Sequence, residues 1–325
     1  MTARVLHLGQ VVVDLTMQVP HMPPRGGDVF ATANAISAGG GYNVLYASRQ
    51  MMAPTIYRGA IGTGPMADIA RASLERIGVK AEGATIADID TGYSVAITEP
   101  DGERTFLSTR GAETQVPLDS YIHLDSEPGD VVYLTGYSLC HPANRASILK
   151  FAEQHDEHRV VFDVSPMIDS IDTEALSAIA GLKPLWSLNQ RETGLLCQRL
   201  DIGSPTDSID DRCSLLAKRL DSPVLTRAGS HGAWFSPSPD ATSPLYIATP
   251  PVTPVDTNGA GDAHSGVLCA ALAQGIDITH ALILANCAGA LSTQSFGPAT
   301  CPSREEIERA AEQLTGVDDP TQPTS

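Results

Sequence analysis

The spacing of apolar positions divides this chain into two regimes. In the first, Val11 to Thr16 and Val29 to Ala35 are short β-prone runs, separated by Pro20, Pro23, Pro24 and the Gly26-Gly27 pair. Tyr93 to Thr98 and Arg104 to Ser108 flank Pro100-Asp101-Gly102 and predict a hairpin. Between these runs, Asn43 to Met52 and Met66 to Ile77 carry helical spacing, and Thr55 to Ile61 reads as a strand. In the second regime, apolar strands at 131–135, 160–164 and 223–226 alternate with helical stretches at 143–154, 172–180, 190–199 and 208–220. Helices over 262–274, 278–294 and 303–314 follow. Such alternation predicts a doubly wound α/β fold, a mainly parallel sheet with helices on both faces. Its ligands are expected at the carboxyl ends of the strands. The early segments, near 11–35 and 91–112, predict a small β sheet interleaved with that core. The expected organisation is a single domain over 1–315 and a polar, flexible tail over 316–325.

Composition narrows the function classes. The chain has 325 residues, 42% apolar and 18% charged, within the globular range. A net charge of −17 repels phosphate backbones and anionic lipid, which argues against nucleic acid and membrane surfaces as partners. No apolar run approaches the length of a membrane span. Met1-Thr2-Ala3-Arg4 leads directly into a strand-like stretch, with no apolar signal core. Cysteines 140, 197, 213, 269, 287 and 301 form no Cys-x-x-Cys pair, and several lie in helical apolar patterns, as reduced core thiols do. The expectation is a cytoplasmic protein. The nine histidines show no metal-ligand spacing.

The strongest chemical signal is Asp256-Thr257-Asn258-Gly259-Ala260-Gly261-Asp262, which directly precedes an apolar helix. Small residues there let backbone amides approach an anion, and a helix start adds partial positive charge. A carboxylate at that position can take a proton from an attacking hydroxyl. The same residues also serve as a plain helix cap and turn. Two glycines and an alanine packed between two aspartates favour the anion cradle.

This segment resembles the second signature of the ribokinase-like (PfkB) carbohydrate kinase family, Asp-Thr-x-Gly-Ala-Gly-Asp. Ala38-Gly39-Gly40-Gly41-Tyr42-Asn43 resembles the first, and the resemblance extends over nearly the whole chain. It implies a core of about nine strands with a β lid over the substrate. It also implies transfer of the γ-phosphoryl group of ATP to an alcohol, with Asp262 as base and the amides of Gly259, Ala260 and Gly261 as anion hole. By the same resemblance, Asp14, Gly39, Gly40, Gly41 and Asn43 hold the substrate. Asn189, Thr226, Gly229, Gly232, Asn258 and Asn286 lie on the nucleotide side. Glu192 orders Mg²⁺ through water, a monovalent cation sits near Asp256 and Asn258, and the lid forms a homodimer. On the residues alone, plainer roles stay open. Asn43 suits a helix N-cap, Asp14 an exposed strand position, and Asn189 with Glu192 a capping box. Gly229 and Gly232 suit a turn, and Asn286 a core position.

Three positions depart from the family pattern. His264 stands where Phe is frequent, Leu45 where a small residue is usual, and Asp163-Val164-Ser165-Pro166 lacks the Asn of a common Asp-Pro-Asn segment. The expected substrate is a monosaccharide. A nucleoside is the alternative, because Tyr42, Phe30 or Phe106 can stack on a base. Arg104 and Arg110 keep a sugar phosphate open. Two rivals come from other classes. Gly62-Thr63-Gly64-Pro65-Met66-Ala67 fits a dinucleotide fingerprint, with Glu82 twenty residues on, and points to an NAD-dependent oxidoreductase. That reading leaves Asp256 to Asp262 unexplained. A sugar sensor would bind without turnover, and has no need of Asp262. No P-loop pattern is present.

Overall fold

The computed structural model describes residues 3–122, 124–154, 158–204 and 206–316. Residues 317–325 of the expected tail, and residues 155–157, lie outside them. The central strands are buried on both sides, which is why they read as continuous apolar runs rather than alternating ones. They are β1 (Val5–His7), β4 (Thr55–Tyr57), β8 (Val131–Thr135), β9 (Arg159–Asp163), β10 (Leu185–Asn189) and β11 (Val224–Arg227). With β5 (Lys80–Ala81), β12 (Ala233–Ser236) and β13 (Leu245–Ile247) they form a nine-stranded sheet in the order β13-β12-β11-β10-β9-β8-β1-β4-β5. All pairs are parallel except β11–β12 and β12–β13.

Helices cover both faces. Val131 and Tyr133 pack into one core with α1 (Gly41–Gln50), α8 (Ala260–Ala273), α9 (Ile278–Ser292) and α10 (Arg304–Gly316). Val132 and Leu134 point the other way, into a core with α4 (Pro142–Gln154), α5 (Thr173–Gly181), α6 (Gln190–Arg199) and α7 (Ile209–Leu220). The expected doubly wound fold is therefore present. Several helix starts are set by local chemistry. Asp172 accepts from Ala175 at 2.8 Å, and Asn189 and Glu192 close a capping box on α6.

A second sheet has the order β3-β2-β6-β7 and is built from β2 (Val11–Gln18), β3 (Ala33–Gly40), β6 (Tyr93–Thr98) and β7 (Arg104–Ser108). It is mixed: β2 runs parallel to β6 and antiparallel to β3. The hairpin at Pro100-Asp101-Gly102 is present. The run expected at 29–35 is displaced: the strand is 33–40, held by pairing of all eight residues with β2 although Ala, Gly and Asn are poor strand formers. The strand expected over 55–61 stops at Tyr57, and Ile61 forms only an isolated bridge to Thr85.

Register gives this sheet two unlike faces. Asp14, Thr16 and Gln18 align with Ser94, Ala96 and Thr98, which align in turn with Ser108, Phe106 and Arg104. This face is mostly polar, and its Arg104 reaches the core domain. The opposite face carries Ile36, Leu15, Val95 and Leu107 in one row across all four strands. At the sheet's base, Glu113 is buried and accepts from Gly92 at 2.7 Å and Gly111 at 2.9 Å, tying together the chain entering β6 and leaving β7.

Candidate active site

Polar side chains collect at one end of the large sheet because the apolar strands end there. Thr135, Asp163, Asn189 and Arg227 are the last residues of β8, β9, β10 and β11. Asp163 accepts from Arg227 Nη2 and from Ser265 Oγ, both at 3.1 Å. Arg227 Nη1 also reaches the Gly261 carbonyl at 3.3 Å, which ties the strand ends to the start of α8.

That start is shaped by glycine. Gly259 is the N-cap at φ +77°, and a Cβ there would lie 2.0 Å from the Pro298 carbonyl oxygen. Only glycine fits both conditions. The first-turn amides of a helix have no partners within it, so they face outward as anion donors. The Ala260 amide leans back on the Thr257 carbonyl at 3.4 Å. Asp262 follows in the first turn, half-buried, and its Oδ2 accepts from Asn43 Nδ2 at 2.9 Å. Its carboxyl is pushed up to about 6, first by burial, with the Asn43 bond opposing and the charge of Asp163 adding. Asn43 is thus not the N-cap of α1, a place taken by Gly40; it lies in the first turn and carries the α1–α8 contact to the carboxylate.

Asp14 also acts on Asp262 through its charge, and burial raises its own carboxyl to about 6. It lies across the chain at Gly39, where a Cβ would come within 1.9 Å of Asp14 Oδ2. Gly40 has φ +58°, and Gly41 leaves room for His7, whose Cε1 a Cβ would meet at 2.4 Å. The glycine turn, Asn43, Asp14 and Asp262 are thus brought together.

The nucleotide-side expectations divide. Gly229, exposed, and Gly232, buried against Ile247, bound a turn beyond Arg227, at φ +56° and +86°. Thr226 is fully buried with its hydroxyl 3.1 Å from that of Thr193, and its strand is paired on both sides, so it packs within the core. Asn286 is buried and its Nδ2 bonds the Ile247 and Ala248 carbonyls, joining α9 to β13. The Asn258 amide bonds Asp256 at 2.8 Å. Each Glu192 oxygen accepts from Asn189, at 2.8 Å in both cases, and its carboxyl is raised by burial and then by Asp163. His264 is buried against α9 and held neutral, its pKa lowered to about 3 by burial.

Sequence reasoning missed Ser265, His7 and Tyr137, and the pairing of Asp163 with Arg227. Ser265 and the Asp163–Arg227 pair were visible only as strand-end and helix-start polar residues. His7 is fully buried beneath the glycine turn, stacked on Tyr133 at 4.9 Å. Tyr137, 48% exposed, lies within reach of the charges of Asp262, Asp163 and Glu192. Two surface depressions, of 380 and 530 Å³, contain none of these residues.

The dinucleotide reading meets a specific obstacle. The start of α2 (Pro65–Arg76) is occupied by Asp90, which accepts from Met66 at 3.1 Å and Ala67 at 2.8 Å. A Cβ on Gly64 would fall 2.6 Å from Asp90 Cγ. The amides that a pyrophosphate would need are capped from within the chain.

The fold, with carboxylates and glycine turns gathered at one end of its large sheet, is that of a family of small-molecule kinases. The chain belongs to the pfkB family of carbohydrate kinases, whose model matches residues 2–305. It is thereby a phosphotransferase with an alcohol acceptor. It is 28% identical over 309 residues to YegV, an uncharacterised sugar kinase of Escherichia coli, covering 93% of this chain and 92% of that protein. It is 27% identical over 308 residues to an ATP-dependent ribose-1-phosphate kinase of Halopiger xanaduensis, covering 94% and 96%. Its fold matches the structure of Arabidopsis thaliana ribokinase complexed with ribose and ATP, at TM-score 0.79 and 21% identity, over 96% of this chain and 99% of that one.

Proposed function

We propose that the enzyme transfers the γ-phosphoryl group of ATP to a hydroxyl of a monosaccharide, with Asp262 as general base. The observation that carries this reading is the placement of Asp262. It is a carboxylate at the outward-facing start of α8, fixed by Asn43 and opposed by Asp14. Asp262 takes the acceptor's proton as the new oxygen–phosphorus bond forms and the bond to the β-phosphate oxygen breaks, releasing ADP. The amides of Gly259 and Gly261 and the dipole of α8 hold the moving phosphoryl oxygens. Asp14 and the Gly39–Asn43 turn accept and donate hydrogen bonds to substrate hydroxyls.

Mg²⁺ suits the acidic floor made by Asp163 and Glu192, whose mutual repulsion a cation relieves. With both Glu192 oxygens bonded to Asn189, that residue would hold the ion through water. The metal supplies charge neutralisation on the phosphates.

A neutral polyol suits the lid face that carries Asp14, since Thr16, Ser94 and Ser108 share it. A sugar phosphate is disfavoured because Arg104, the cation of that face, is already paired with Asp256 at 2.6 Å. Phe106 shares the same face and is 56% exposed, which favours a nucleoside as the second reading. The apolar row on the outer face supports pairing with a second copy through the lid.

An ADP-release assay with Mg²⁺-ATP against a panel of sugars and nucleosides tests the proposal, with Asp262→Asn as the blank. Release stimulated by one acceptor, and reduced by about 10³-fold or more in the variant, is expected. Turnover in Asp262→Asn close to the parent would remove Asp262 from the role of base.

A further inference from the structure

One carboxylate of the anion-hole loop is neutralised from the far side of the cleft. The Asp256 side chain is only 5% exposed. Its Oδ1 accepts from Arg104 Nη2 at 2.6 Å and from the Asn258 amide at 2.8 Å, and its Oδ2 accepts from the Gly297 amide at 3.1 Å. Arg104 comes from the inner face of the lid, 152 residues away in sequence. The family resemblance implies a monovalent cation beside Asp256 and Asn258, and such an ion needs a carboxylate oxygen free to ligate it. Here a guanidinium already occupies that position and both oxygens accept hydrogen bonds, so the residues do not fit the ion.

We infer that Arg104 is the loop's built-in cation, a positioning residue that neutralises Asp256 when the lid lies against the core. The inference rests on the phosphoryl-transfer reading for its purpose. Asp256 begins the segment whose amides, at Gly259 and Gly261, face the phosphates. Its uncompensated charge would oppose those anions at short range. A soluble cation would supply the compensation at all times. A guanidinium on β7 supplies it only with the lid down, so the anion cradle is completed together with coverage of the acceptor. Excluding water at that moment limits ATP hydrolysis without an acceptor.

The test compares melting of the unliganded protein in KCl and in choline chloride at equal ionic strength, for the parent, Arg104→Gln, and Arg104→Gln with Asp256→Asn. The parent is expected to melt identically in both salts. Arg104→Gln should melt about 2–4 °C lower in choline chloride, because it leaves a shielded carboxylate without its partner. KCl should restore that loss, as K⁺ enters the vacated position. The double variant should recover in both salts, since no charge then needs a partner. Arg104→Lys, which keeps the charge, should stay near the parent. A parent that KCl stabilises as much as the single variant would overturn the inference. So would an Arg104→Gln variant that loses nothing, or a loss that neither KCl nor Asp256→Asn repairs, which would reduce Arg104 to lid packing. These measurements need no nucleotide and no acceptor. Failure of the kinase reading would show separately, as absent ADP release in the parent.

Discussion

Asp262 does two things that conflict. As the proposed base it would have to be ionised, yet burial raises its carboxyl from 3.8 to about 6. Activity should therefore be full above that value and fall as pH drops through it. Asp14, raised to the same region, would serve its proposed role of accepting substrate hydroxyls best as a carboxylate. The logarithm of kcat/KM should then fall below pH 6 with a slope of about one to two. A profile flat to about pH 5 would sink the assignment. The same shift sets a stability cost. Between 3.8 and about 6 the folded protein holds a proton that the unfolded chain releases, so stability falls as pH rises through that window. Asp262→Asn should escape this loss. Melting curves should show the variant more stable than the parent near pH 8, and the difference should narrow toward about pH 4. A variant less stable than the parent at the higher pH would show that the carboxylate is not a net cost to the fold.

At the scale of elements, the decisive contact is α1 against α8. It is close because Gly266 has no side chain: a Cβ there would lie 2.4 Å from the Val44 carbonyl oxygen and 2.6 Å from Ala47 Cβ. Ser48 Oγ donates to the Gly266 carbonyl at 3.0 Å across the same seam. Asn43 and Asp262 meet one turn further on. Gly266→Ala should push the helices apart, cost about 1–3 kcal/mol in a denaturant titration, and lower kcat although the residue touches no substrate. Unchanged kcat with lowered stability would show that Asn43 reaches Asp262 independently of that spacing. Much at this scale was legible. The fold class, the run at 131–135 and the helix at 190–199 stand as the apolar pattern predicts. The strand at 185–189 is not evident in the pattern, since Ser187 and Asn189 break up a five-residue run behind Pro184. The strands at 233–236 and 245–247, at one end of the sheet, are too short for any period to establish itself.

For the whole molecule, the lid acts through its two faces. One carries Asp14 and Arg104, and the other presents Ile36 at 59% and Leu107 at 62% exposure, with Leu15 and Val95 between them. An apolar row of this kind on a small sheet is covered most simply by its own counterpart about a two-fold axis. Sedimentation equilibrium should report a dimer for the parent and a monomer for Ile36→Lys with Leu107→Lys. A monomeric parent would leave the row to another partner and remove the dimer from the proposal.

The sequence by itself determined what is local. The apolar runs specify buried strands, Asn189 and Glu192 cap the helix that follows them, and Asp256 to Asp262 places small residues and a carboxylate at one helix start. The tertiary structure alone decided which charges meet. Asn43 bonds Asp262 across 219 residues, Arg104 reaches Asp256 across 152, and Arg227 joins Asp163 across 64. Each pairing depends on strand order and on how closely helices approach, and no spacing along the chain encodes either. The same holds for Asp90, which fills the start of α2 and turns an apparent dinucleotide motif into an ordinary cap. A motif states which groups are available, and packing sets how many of their bonding positions are still open to a ligand.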